Sequence, residues 1–170
     1  MPLSGTMLAV SAYAELTQAL DLGTGRAAQS LSRSLSLSSG TGAGAADRVF
    51  SDRRTLAASG TEDLDLAGVL LDAFGTAITF ARIKGIVVAA AAGNTNNVVV
   101  GNATSNGWAT LLSATGTVTL RPGAFIAVGT GVADPTGYAV TAGTGDLLKV
   151  ANSGAGTSVT YDIHIIGASA

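Results

Sequence analysis

The sequence predicts an all-β protein: an antiparallel β-sandwich or jelly roll with an extended N-terminal arm and at most short helices. Apolar and polar residues alternate with period two along most of the chain, and turn-forming clusters separate the alternating runs. After residue 76 no segment has the helical length that the crossovers of a parallel sheet require. The 170 residues suit one domain, or a compact domain with an arm.

Taken in order, residues 1–46 read as an arm with strands and a Gly-rich linker, and residues 47–170 as the sandwich domain. Residues 30–38, SLSRSLSLS, set Leu31, Arg33, Leu35 and Leu37 on one face and serines on the other, which is the pattern of a half-buried strand. Residues 38–46, SSGTGAGAA, are small and flexible, and read as a linker or long loop. Further strands are expected at residues 48–50, 54–57, 63–66, 77–91, 98–100, 117–120, 125–128, 138–141, 147–151 and 158–166. Clusters such as Asn94-Thr95-Asn96-Asn97, Arg121-Pro122-Gly123 and Asp134-Pro135-Thr136-Gly137 supply the turns between them. Short helices fit at residues 12–19 and 66–73, the second behind acidic residues suited to a helix N-terminus.

Composition excludes several functions. With 9 Lys and Arg against 11 Asp and Glu, the net charge of −2 lacks the clustered cations of a general nucleic-acid binder. Hydrophobic residues at 47% are the reverse of a disordered composition, yet aromatics are only 5%, so the core must use small and β-branched side chains. The absence of cysteine excludes disulfides, thiolate metal sites and cysteine nucleophiles. No basic region precedes the apolar residues of the N-terminus, and no run reaches the roughly 18 apolar residues of a membrane span. The expectation is a protein without a cleaved signal and without a membrane partner.

Charge divides the chain. Residues 26–84 hold 13 of the 20 charged side chains, whereas residues 85–170 hold five. A solvated monomer normally exposes more, so this half is expected to face its own core or neighbouring subunits. The segment Asp47-Arg48-Val49-Phe50-Ser51-Asp52-Arg53-Arg54 is the most charged, and Arg48, Asp52, Arg53 and Arg54 are its candidate partner contacts.

Catalytic and metal-binding patterns are weak. Asp162 and His164 fall on one face of the last strand and could form an acid–base pair or two metal ligands, but a triad or zinc site needs further groups. A polar pair on a sheet face is the favoured reading. Glu62, Asp63, Asp65 and Asp72 do not match a calcium loop, and are expected to cap the 66–73 segment and pair with Arg53 and Arg54. Glycine clusters at 23–25, 40–44 and 129–131 open no helix and precede no Gly-Lys-Ser/Thr, so they read as turns. Trp108 is either a saccharide-stacking platform or a core or interface anchor, and it completes the candidate contacts. No catalytic residue, cofactor or metal site is expected.

Ordered short motifs carry a resemblance: Leu64-Asp65-Leu66-Ala67-Gly68, Asp72-Ala73-Phe74-Gly75, Phe80-Ala81-Arg82-Ile83-Lys84, Asn94 through Gly101, Arg121-Pro122-Gly123, Tyr138-Ala139-Val140-Thr141 and Tyr161 through Gly167. Over roughly the last two-thirds of the chain these resemble small structural proteins of tailed bacteriophages, of the capsid decoration or cement type. The resemblance implies a non-enzymatic virion component assembled in the host cytoplasm. It further implies a homo-oligomer, threefold by family analogy, seated on the lattice of the major capsid protein, with residues 1–46 as an arm or strand that pairs with a neighbouring chain. The competing expectation is a tail, fibre or baseplate protein that binds a host-surface saccharide through Trp108 and residues 94–97.

Overall fold

The computed structural model describes residues 3–170, and among them every regular element is a strand. The first two, β1 (Thr6–Leu20) and β2 (Gly23–Ser39), pair antiparallel from Thr6↔Leu37 to Leu20↔Gly23 and make one long ribbon. Fifteen residues at about 3.3 Å each give the ribbon a length of about 50 Å. Its body is a two-sheet sandwich. One sheet contains β4 (Arg48–Leu56), β12 (Val159–Ala168) and β6 (Arg82–Ala90), with β9 (Phe125–Gly129) and β10 (Tyr138–Ala139) both along the far side of β6. The other runs β5 (Thr61–Asp65), β11 (Leu147–Asn152), β7 (Val98–Gly101), β8 (Thr117–Leu120).

Alternation builds the core between the sheets. Along β12, Val159, Tyr161, Ile163 and Ile165 are buried inward while Thr160, Asp162 and His164 face out. They meet Phe50, Ile86 and Val88 from their own sheet and Leu64, Val98, Val100, Leu120, Leu148 and Val150 from the other, all in one cluster. Few aromatics are needed because β-branched chains tile closely spaced strands.

A bulge interrupts the β6–β12 pairing: Ile166 faces Gly85 but Gly167 faces Ile83, which leaves Lys84 as the extra residue. Its side chain is 1% exposed, and its ammonium donates to the Asp134 carbonyl at 3.0 Å. Burial holds its pKa below the ordinary lysine value. At Gly167 a Cβ would strike the Arg82 carbonyl and the Phe80 ring, so only glycine fits the pinch.

Several expectations change. The segment expected to be helical at 12–19 lies inside β1, where pairing with β2 overrides local helix propensity. The segment 66–73 forms turns, because the Asp65 carboxylate accepts the Ala67 N–H at 2.9 Å and folds the chain back directly. The expected strands 48–50 and 54–57 are one continuous β4, held by nine register pairs with β12, and 77–91 shortens to β6. Residues 38–46 are an ordered turn rather than a flexible linker. Ser38 N–H donates to Gly44 O at 2.9 Å and Gly40 N–H to Ala46 O at 3.1 Å, and Gly44 takes φ +63°. This turn feeds β3 (Ala45–Ala46), parallel to the end of β2. Residues 1–2, which the arm assignment also covers, lie outside the described residues.

Candidate functional site

Register assigns each face of the ribbon, since directly opposed residues share a side. One face carries Leu8, Val10, Ala12, Ala14, Leu16 and Leu20 against Leu35, Arg33, Leu31, Gln29, Ala27 and Gly23. The other carries the serines 30, 32, 34 and 36, together with Tyr13 and the Arg26–Glu15 ion pair at 3.1 Å. The ribbon is therefore amphipathic across its thickness.

The apolar face is docked at its base only. Leu35 and Leu37, with Ala46 and Ile166, form a second buried cluster that Leu8 joins. Leu8 and Leu35 lie over Gly85 and Gly129, which stand beside Ile166 in one row across β12, β6 and β9. A Cβ on Gly129 would approach Leu8 to 3.1 Å and Leu35 to 3.3 Å, so the missing side chain lets the ribbon lie flat on the sheet. One step outward, Val10 and Arg33 line a groove with Ala127, Gly129, Thr130 and Gly131. The ribbon thus crosses the sheet from β12 toward β9 and continues past that edge.

Beyond β9 the apolar face has no cover. Leu16 is 67% exposed, Leu20 59% and Leu31 56%, and among the described residues seven of the twelve large exposed apolar side chains belong to residues 7–31, with Met7 and Tyr13 of these on the serine face. In residues 85–170 only Phe125 and Val132 are of this kind. The weakly charged half largely faces its own core, and its surface is made of Thr, Ser, Asn, Gly and Ala. Exposed large apolar side chains are concentrated on the ribbon.

The charged candidates of β4 are engaged within the chain. Arg53 makes a bidentate pair with Asp162 at 2.6 and 2.8 Å, which holds the Asp162 carboxyl below its ordinary pKa. Arg54 reaches Glu62 at 2.7 Å and Asp52 at 2.8 Å, and the buried Tyr161 hydroxyl donates to Glu62 at 2.7 Å. Burial, reinforced by Glu62, pushes the Tyr161 phenol far up. Arg48 donates to Asp47, whose carboxylate also accepts the Ser169 N–H and hydroxyl. Sequence reasoning missed the roles of Tyr161 and Asp47, because both partners lie about a hundred residues away along the chain.

Trp108 is corrected as a partner contact. It is 5% exposed, donates its indole N–H to Ala139 O at 2.8 Å and packs edge-on against Tyr138 at 6.3 Å. The ring is spent on the core. Around the neighbouring 94–97 loop, Asn94 exchanges two hydrogen bonds of 2.8 Å with the Thr160 backbone and Asn96 donates to the carbonyls of Gly154 and Thr157. Those amides tie the loop down.

Asp162 and His164 do not pair, since Arg53 takes the carboxylate. Glu62, Asp63, Asp65 and Asp72 likewise separate into an ion pair, a strand partner of Lys149 and two turn caps. Among the described residues no three His, Asp or Glu side chains come together as metal ligands.

His164 is half-buried between Ser51 and Val87, and burial depresses its pKa below 6.5. Between the folded value and 6.5 the unfolded chain binds a proton that the folded chain refuses, so stability falls as pH drops through that window. The Asp162 contribution is present above 3.8 and is lost only below it. Urea midpoints should therefore decline from about pH 7 to about pH 5, and His164→Gln should flatten that slope. Equal slopes in both proteins would refute the assignment.

Comparison with protein-family models, curated proteins and solved structures finds no match to this chain.

Proposed function

We propose that this chain is a non-enzymatic structural component of a bacteriophage virion, a capsid decoration or cement protein that self-associates and stabilises the major capsid lattice. The observation that carries the reading is the ribbon. Roughly 30 Å of it projects past the sandwich with Leu16, Leu20 and Leu31 exposed on a face that Gln18 and Gln29 interrupt. A lone two-stranded ribbon is marginal in water, so a persistent one is stabilised by what it docks against. Charges support the same reading: Arg53 and Asp162 sit on the outer sheet face, where an exposed ion pair can exchange partners at little cost. A β-sandwich with a protruding arm also fits the resemblance carried by the motifs between Leu64 and Gly167.

The saccharide-binding tail reading has lost its platform, because Trp108 is buried and the 94–97 amides are engaged. The test is co-sedimentation with expanded capsids of the cognate phage. Saturable binding at a fixed ratio to the major capsid protein is expected, with electron micrographs placing the protein on the shell. No affinity for capsids, with the protein found on the tail, would overturn the proposal.

A further inference from the structure

The ribbon, a free sheet edge and an uncovered sheet face together point to one occupant. We infer that the overhanging apolar face of the ribbon docks on the outer sheet face of a second copy of this chain, reached across paired β9 edges. This rests on the self-association part of the function proposed above.

The ribbon leaves the sheet over β9, and among the described residues β9 has β6 as its one strand neighbour, so its outer edge is open. Open edges accept antiparallel partners. A two-fold axis through Ala127 would set β9 antiparallel to the β9 of a second copy and bring Gly129 opposite that copy's Phe125. Within one chain Phe125 stands beside Ala89, and Ala89 beside Asp162. The row that runs Ile166, Gly85, Gly129 under the ribbon would then continue as Phe125, Ala89 and Asp162 of the second copy. Phe125, 64% exposed in the single chain, would lie beneath the ribbon's Val10, Ala12 and Leu31.

On the second copy the row presents Phe125 and Ala89 nearest the two-fold axis and then the exposed Asp162–Arg53 pair, so the interface continues the existing one as an apolar contact that ends on an ion pair. Dimensions agree. Four strands at about 4.8 Å span about 19 Å, less than the roughly 30 Å overhang, so the tip passes the β4 edge of the second copy. There the loop that follows β5 borders residues 50–54 of β4 and exposes Val69 and Leu71, an apolar counterpart for Leu16 and Leu20. The two ribbons of the pair would cross rows four residues, about 13 Å, apart, and each ribbon is about 10 Å wide, so they lie side by side without collision. Two ribbons bury on the order of 1,200 Å² in total, within reach of a specific interface.

Sedimentation equilibrium of the intact chain tests this. A two-chain mass is expected, weakened at least tenfold by Leu16→Glu, by Leu31→Glu and by Phe125→Glu. Tyr13→Glu is the control: Tyr13 is as exposed as Leu16 but lies on the serine face, and its replacement should leave the pair intact. All four sites are exposed, and circular dichroism verifies folding. Because the chain has no cysteine, Ala127→Cys alone should give a covalent dimer on mild oxidation. A monomer at all concentrations, a trimer, or a dimer equally sensitive to Tyr13→Glu and Leu16→Glu would overturn the inference. A monomer that still binds capsids removes this interface and leaves the proposed function standing. A dimer that ignores capsids does the reverse.

Discussion

Trp108→Ala should lower the unfolding free energy by about 3–5 kcal/mol, the range for truncating a large buried aromatic. Trp108 is 5% exposed, its backbone N–H donates to Leu147 O at 2.9 Å, and its ring meets Tyr138 edge-on. Truncation empties that contact and leaves the Ala139 carbonyl with only the Thr110 hydroxyl as a side-chain donor. Domains of this size carry only about 5–15 kcal/mol, so a large part of the total is at stake. Denaturant melts measure it directly. A surface platform would behave oppositely: the variant would keep its stability and lose only glycan binding.

Leu35→Ala should release the ribbon while sparing the sandwich. The cost of truncating a buried leucine is about 2–5 kcal/mol, and here it falls on a cluster of four buried residues that is separate from the main core. Leu35 is one of the two leucines that lie over Gly129, and so small a cluster does not survive its loss. The undocked ribbon then frays, since two strands alone are marginal. Amide exchange and limited proteolysis should therefore accelerate in residues 6–39, with the sandwich transition shifted little. If ribbon and sandwich instead melt together in one lowered transition, the two clusters are a single cooperative unit.

The sequence by itself determined the fold class. Alternation along Ser158–Ile166 and its counterparts marks strands whatever they pair with, because side chains on a strand point alternately to opposite faces. Turn clusters placed the breaks, and the SLSRSLSLS run already showed an apolar and a serine face. Residues 12–19 are ambiguous in sequence, since their Ala and Leu content suits a helix and only their eight pairs with β2 make them a strand. What tertiary structure alone decided is where each face ends up. The Trp108 environment, the Tyr161–Glu62–Arg54 network and the Arg53–Asp162 pair join residues far apart in the chain. The ribbon's apolar face is likewise visible in sequence as a stripe. That its base meets Gly85 and Gly129 while the rest overhangs is fixed by the packing of β1 and β2 on β6 and β9, because burial depends on what a face meets and not on its own composition.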